Sequence, residues 1–243
     1  MDAARELFVL NERVIRCRKC PRLVRYRERV AREKRRMYRD WDYWGRPVPG
    51  FGDPRAELLL LGLAPAAHGG NRTGRVFTGD RSGDFLFAAL YRAGFSSQPT
   101  SAHREDGLRL RNCYITASVR CCPPANKPSP LERARCRPYL EEEFRLLGRV
   151  RAVLALGRLA HDTYLGWLRD RGRIRRAADF PFGHGIFYDL PAPRGSDPDR
   201  MIRLFDSYHP SQQNTQTRRL TAAMLDSVLR SVQQFLEREG RRR

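Results

Sequence analysis

Residues 57–84 read ELLLLGLAPAAHGGNRTGRVFTGDRSGD. The first part, Glu57–Leu63, is an apolar run of strand length without polar alternation, the pattern of a strand buried on both faces. Asp80 or Ser82 then introduces a helical pattern over Gly83–Ala93, so that strand, loop and helix follow one another. The succession repeats down the chain. Strands are expected at Cys113–Val119, Val150–Leu156 and Met201–Tyr208, with helices at Pro130–Leu147, Leu159–Leu168 and Leu220–Arg238. In the last helix Leu220, Met224, Val228, Val232 and Phe235 recur at helical spacing. Such alternation predicts an α/β fold, a mostly parallel sheet covered by helices on both faces. Ligands of these sheets bind beyond the carboxyl ends of the strands, which directs attention to the segments after each one.

Upstream, residues 3–16 suit a short helix and 22–36 a strongly basic one. Tyr38–Pro54, YRDWDYWGRPVPGFGDP, is an aromatic loop broken by Gly and Pro. No internal repeat or low-complexity linker divides the 243 residues, so a single domain, 1–243, is expected, with 1–54 as N-terminal helices and aromatic loop and 240–243 as a basic tail. The 47 Lys+Arg against 27 Asp+Glu leave a formal charge of +20, and 41% hydrophobic residues exclude a disordered basic tail. No run approaches the roughly 18–20 apolar residues of a membrane span, and the charged start lacks an apolar signal core, so a cytoplasmic location is expected. A charge of this size points to a polyanionic partner, above all nucleic acid. Only Lys19, Lys34 and Lys127 are lysines, and a GC-rich genome produces the same arginine excess.

Five glycines between Gly62 and Gly79 permit close backbone approach to a ligand and leave N–H groups for an anionic one. No Lys follows in the register of a G-x-x-x-x-G-K-[ST] loop, which excludes that nucleotide-binding type. Phe77, isolated among Gly, Thr and Arg, reads as a stacking platform, while Asp80 reads either as a helix cap or as a functional carboxylate. The last strand runs into His209-Pro210-Ser211-Gln212-Gln213-Asn214, and a histidine closing a strand at the expected site edge is a functional candidate. His103, His161 and His184 lack that context and are read as structural or solvated.

Six cysteines behind a cytoplasmic-type start are metal ligands or buried thiols rather than disulfides. Cys17 and Cys20 form a chelating C-x2-C pair, and Cys113, opening a strand, is best read as buried. Cys121 or Cys122, in the Pro-rich stretch RCCPPANKP (120–128), completes a four-thiolate set with Cys136. Such a set holds zinc or an iron–sulfur cluster and would pin the N-terminal arm to the domain.

Together, GLAPAAHGGNRTGRVFTGDRSGD (62–84), VRCCPPANKPSP (119–130) with CRPYL (136–140), YWGRPVPGFGDP (43–54) and YHPSQQNTQTRRLT (208–221) resemble the family 5 (type b) uracil-DNA glycosylases. The pieces stand in the family's order and cover nearly the whole chain. The resemblance implies a three-layer α/β/α domain around a four-stranded parallel sheet, with its N-terminal arm tied by a structural [4Fe-4S] cluster on Cys17, Cys20, Cys121 and Cys136. It implies excision of uracil from DNA in base excision repair by a monomer associated with the nucleoid. It further implies substrate contacts from Gly62, Ala64, Phe77 and Ala117, and polar roles for Asp80, Asn126 and His209. Ala64 stands where many of the wider superfamily carry an acidic or amide residue, and their uracil-reading Asn is replaced around Ala117. Without that amide, hypoxanthine and xanthine are expected substrates too.

Breaking an N-glycosidic bond leaves oxocarbenium character on the sugar and negative charge on the base, so donors must face the base. Neutral His209 and N–H groups of residues 62–70 are the expected donors. Asp80 would serve the sugar cation or water, and Asn126 would position either. Phe77 would stack on the flipped base, and Ser211, Gln212, Gln213 and Asn214 would press into the duplex as a loop. Arg72, Arg75, Arg120, Arg218 and Arg219 flank the strand-end loops and are the expected phosphate contacts. A non-catalytic nucleic-acid binder and an iron–sulfur electron carrier are the competing classes. The strand-end loops weigh against the first and the charge of +20 against the second.

Overall fold

In the computed structural model, which describes residues 3–193 and 200–240, Leu58, Leu59, Leu60 and Leu61 are all fully buried, as a strand covered on both faces requires. Along the chain the elements are α1 (Ala3–Ile15), α2 (Pro21–Glu33), β1 (Phe51–Gly52), β2 (Leu58–Gly62), α3 (Gly70–Thr73), α4 (Arg81–Arg92) and β3 (Cys113–Ala117). Then follow α5 (Pro130–Leu146), β4 (Ala152–Leu156), α6 (Arg158–Asp170), β5 (Phe187–Pro191), β6 (Met201–Ser207), α7 (Gln212–Gln216) and α8 (Ala222–Gly240). The expected basic tail beyond residue 240 lies outside the described residues.

The sheet runs β1-β3-β2-β4-β6-β5. The inner four strands are parallel and are the four expected from the sequence. The sheet is nevertheless mixed and six-stranded, which corrects the expectation of four parallel strands alone: β1 and β5 pair antiparallel on its two edges. Neither edge strand carries an apolar run. β1 is two residues long, and β5 (FYDLP) is largely exposed, with Leu190 its one buried side chain.

Alternation along the strands divides the core. Leu59, Leu61, Val153, Ala155, Ile202 and Leu204 face α1, α5 and α6. Leu58, Leu60, Ala152, Leu154, Ile115 and Phe205 face α4 and α8. Both faces of the sheet are therefore covered, and burial of this apolar surface stabilises the layers at roughly 25 cal/mol per Å² removed from water. Local signals start the helices. Pro21 stands in the first turn of α2, Asp80 caps α4, and Ser129 with Glu132 forms a capping box on α5. No helix among the described residues is long and apolar enough to cross a membrane.

Candidate active site

Gly62 and Ala117 end β2 and β3 side by side in register, and the chain beyond β3 stays tied to β2. Ser118, buried, gives both its N–H and its hydroxyl to the Gly62 carbonyl, at 2.9 and 3.1 Å. Val119 N–H reaches Leu63 O at 2.9 Å. Ala117 is buried, and Ala64 packs toward Leu23, Val119 and Cys121. Over this floor lies Phe77, its ring edge 3.0 Å from where a β-carbon on Gly62 would stand. Phe77 holds φ at +50°, a left-handed conformation that costs a non-glycine residue about 1–2 kcal/mol and persists only where its surroundings enforce it.

His209, which follows β6, meets this ring with centroids 5.7 Å apart and planes inclined by 36°. The approach depends on Gly157 after β4, whose φ is +97° and whose missing β-carbon would stand 3.2 Å from His209 Cβ. Asn214 Nδ2 donates to the His209 carbonyl at 2.9 Å and fixes its backbone. Desolvation lowers the pKa of His209 to about 4, so the imidazole is neutral at neutral pH.

Asp80 is the helix cap that one of its two readings expects. Oδ1 accepts from Gly83 N at 2.9 Å as the cap of α4, while Oδ2 turns toward Gly69 in the glycine-rich loop. Burial raises its pKa above the ordinary carboxylate value, against the opposing pull of backbone donors and Arg72. Asn126 lies on an exposed 3-10 turn, with φ at +55° following Ala125 at +53°. No hydrogen bond among the described residues joins its side chain to Asp80 or His209.

The expected phosphate contacts divide. Arg72 is buried and braces the loop from within: Nε donates to His68 O at 2.8 Å and Nη2 to Gly79 O at 2.5 Å. Arg75 is equally buried, paired with Asp106 at 2.7 Å and bonded to Ser101 and Thr78. Arg120 is buried against Glu143, which also accepts from Thr116. These three are corrected from surface contacts to internal cross-links. Arg75 and Arg120 pair with carboxylates inside the fold, and Arg72 donates to backbone carbonyls. Arg218 and Arg219 are exposed. Ser211–Asn214 is corrected from a loop to a helical turn: Ser211 accepts from Asn214 N at 3.4 Å and caps α7, leaving Gln212 and Gln213 exposed.

The model of the uracil DNA glycosylase superfamily matches residues 49–233. The type-5 uracil-DNA glycosylase of Thermus thermophilus is 51% identical over 225 residues, covering 93% of this chain and 95% of the relative. That of Mycobacterium leprae is 50% identical over 227 residues, covering 93% and 94%. The chain belongs to the type-5 uracil-DNA glycosylases. A type-4 enzyme from Pyrobaculum aerophilum is more distant, 30% identical over 207 residues, covering 85% of this glycosylase and 83% of the relative.

A second polar centre of the glycosylase lies between its N-terminal arm and the sheet. Cys17 after α1, Cys20 before α2, Cys121 after β3 and Cys136 on α5 line one pocket with Arg27 and Tyr139. Cys122 is buried outside its lining, and Cys113 is fully buried in β3. Arg27 Nη1 donates to Cys121 Sγ at 2.9 Å, and Arg120 N to Cys136 Sγ at 3.3 Å. Burial pushes the Cys121 thiol up to about 11 and that of Cys136 to about 12. Among the described residues, no three His, Cys, Asp or Glu side chains are spaced to hold a single metal ion.

Ser118, which secures Gly62, carries no sequence signal; Arg72 braces the loop, and His184, read from sequence as structural or solvated, stacks on Tyr208 at 5.1 Å while accepting from its N–H at 3.2 Å. His161 has the structural role expected of it, bonded in the interior to Asp206 and to Phe180 O, each at 2.9 Å.

Proposed function

We propose that this glycosylase hydrolyses the N-glycosidic bond of uracil, and of other deaminated bases, in DNA, with His209 serving the departing base and Asp80 the sugar. The observation that carries the reading is the Phe77–His209 pair, 5.7 Å apart beside the joined ends of β2 and β3. An extruded base stacks on Phe77, which offsets part of the few kcal/mol that flipping costs. As the C1′–N bond breaks, its electron pair leaves with the base, and the neutral imidazole of His209 donates a hydrogen bond to the charge that develops. Water adds to C1′. Asp80 faces the cation and accepts the water's proton, a task its raised pKa suits. Asn126 acts from the rim on its exposed turn, as do Gln212 and Gln213 on α7. Gly62 and Ala64 let the substrate approach the loop. Ala117 presents no amide to the base edge, which is why recognition extends to hypoxanthine and xanthine. The product is an abasic site for base excision repair, formed by a monomer acting on the chromosome in the cytoplasm.

A [4Fe-4S] cluster would be held by Cys17, Cys20, Cys121 and Cys136 in the thiol pocket. Arg27 is 2% exposed, and its Nε has no protein partner. A buried cation of this kind is balanced by an anionic group of thiolates. When bound, the cluster supplies a cross-link between the N-terminal arm and the domain, with no part in the hydrolysis. Purified protein with a broad absorption near 400 nm and bound iron supports the assignment; colourless protein with one zinc replaces it. For the activity, base release is measured on oligonucleotides bearing uracil, hypoxanthine or xanthine in defined pairs. Release of uracil alone overturns the wider specificity, and release of none overturns the activity.

A further inference from the structure

Residues 36–44 carry an aromatic surface that the hydrolysis leaves unused. Met37 is 65% exposed and Trp41 36%, although large apolar side chains gain by leaving water. The segment is fastened to the catalytic loop. Trp44 N donates to Arg72 O at 2.9 Å, Gly45 N to Asn71 O at 3.0 Å, and the Tyr43 hydroxyl meets His68 Nδ1 at 3.0 Å. Tyr38 and Trp41 clasp the Arg72 guanidinium, whose Cζ lies 3.9 and 4.0 Å from their ring centroids. Arg72 in turn holds the carbonyl of Gly79, the residue before Asp80. Trp41 is therefore held rigidly from within, one guanidinium away from the catalytic loop, while more than a third of it faces solvent.

The surroundings select the partner. Between residues 32 and 46 six Lys and Arg stand against three Asp and Glu; Arg35, Arg36 and Arg39 are exposed, as are Asp40 and Asp42 on either side of Trp41, and the segment keeps a net positive charge. A rigid exposed ring among cations is the pairing that single-stranded nucleic acid uses, the ring for a base face and the cations for phosphates. A duplex hides its base faces, whereas extruding a nucleotide unstacks its neighbours and leaves its partner orphaned. We propose that Trp41, with Met37 and Tyr38, is a stacking platform for an unpaired base of the DNA beside the catalytic loop. The platform rests on DNA being the substrate, but it is separate from the chemistry at His209.

The test uses a uracil-free single strand, oligo-dT, which no glycosylase step consumes. Base stacking on Trp41 quenches its fluorescence, so titration of the full chain with oligo-dT lowers tryptophan emission while anisotropy of labelled oligo-dT reports binding. Trp41→Phe keeps a ring on Arg72 and binds oligo-dT, but loses the part of the quench that Trp41 carries, leaving Trp44 and Trp167 as the emitters. Trp41→Ala weakens binding roughly 5- to 100-fold, the span of one base–aromatic stack. An equal quench in Trp41→Phe, or binding by the wild type with no quench, overturns the platform. Base release from a uracil oligonucleotide, measured in parallel on both proteins, reports on the activity independently of this outcome.

Discussion

Replacing His209 by alanine separates two consequences of taking the ring out of water. In the fold its pKa lies at about 4, against 6.5 for an unperturbed histidine. Between these values the unfolded chain binds a proton at this site that the folded chain refuses. Stability is therefore fully present above pH 6.5 and falls as pH drops through the window toward 4. At about 1.4 kcal/mol per unit, the descent from pH 7 to pH 5 removes roughly 2 kcal/mol. The ring is partly exposed, so solvent screening makes this an upper figure. Urea unfolding of wild type and His209→Ala at the two pH values isolates the contribution, because the cavity left by alanine costs the same at both and cancels in the difference. The wild type should lose up to about 2 kcal/mol more than the variant. The same neutrality fixes the kinetics. A ring that does not titrate near neutrality gives a single-turnover rate on uracil DNA without a histidine inflection between pH 8 and pH 6. Loss of its donor lowers the rate about 100- to 1,000-fold while DNA binding persists. An inflection near pH 6.5, or a variant that cleaves like wild type, refutes the reasoning.

Asp80→Asn keeps a residue that caps helices, so α4 and overall stability should change by no more than a few tenths of a kcal/mol. The single-turnover rate on a U·G duplex should still fall about 100-fold or more, and full activity removes Asp80 from the mechanism. Arg75→Met strips the buried Asp106 carboxylate of its partner and should cost about 3–5 kcal/mol in urea unfolding, with the salt dependence of DNA binding unchanged. Arg218→Ser, at an exposed position, should do the reverse and reduce the slope of log affinity against log salt by about one; the opposite pattern would return Arg75 to the DNA surface. Cys121→Ser should lose bound iron and visible absorption, and retention of both would remove Cys121 from the ligand set.

The parallel core was legible because its strands are buried on both sides and read as unbroken apolar runs, Leu58–Leu61 most plainly. The edge strands were not. β5 alternates with Asp189 and ends in Pro191, and its pairing with β6 is a tertiary event that leaves no local pattern. The rule that ligands bind beyond the strand ends drew attention to Phe77, Asp80 and His209, and the contact between Phe77 and His209 depends on residues far apart in sequence, such as Gly157 against His209. α7 was readable in principle, since Ser211 is a preferred N-cap residue ahead of Gln212 and Gln213. Arginine was the opaque residue type. Nothing local separates Arg75, which meets Asp106 across 31 positions, from Arg218, which meets water.

That separation bears on how so basic a chain keeps His209 neutral by burial rather than by cationic neighbours. Arg27, Arg72, Arg75, Arg120 and Arg151 are each 5% exposed or less, and each is bonded to protein groups. Their forked donors reach several acceptors at once and cannot shed their charge, which lysine in the same place would do. Their charges are spent within the fold. Among the exposed arginines, those at 35, 36 and 39 stand beside the aromatic segment and those at 218 and 219 after α7. Cations at the rim attract phosphates through solvent. Within the pocket, the low pKa of His209 has desolvation as its cause. A carboxylate brought against that ring would raise its pKa toward the working range and turn a neutral donor into a titrating one. Asp80 is kept from that role by geometry: one oxygen is committed to the cap of α4 and the other turns toward Gly69. In the proposed reaction a carboxylate and a neutral donor stand on separate loops, one for each end of the bond that breaks.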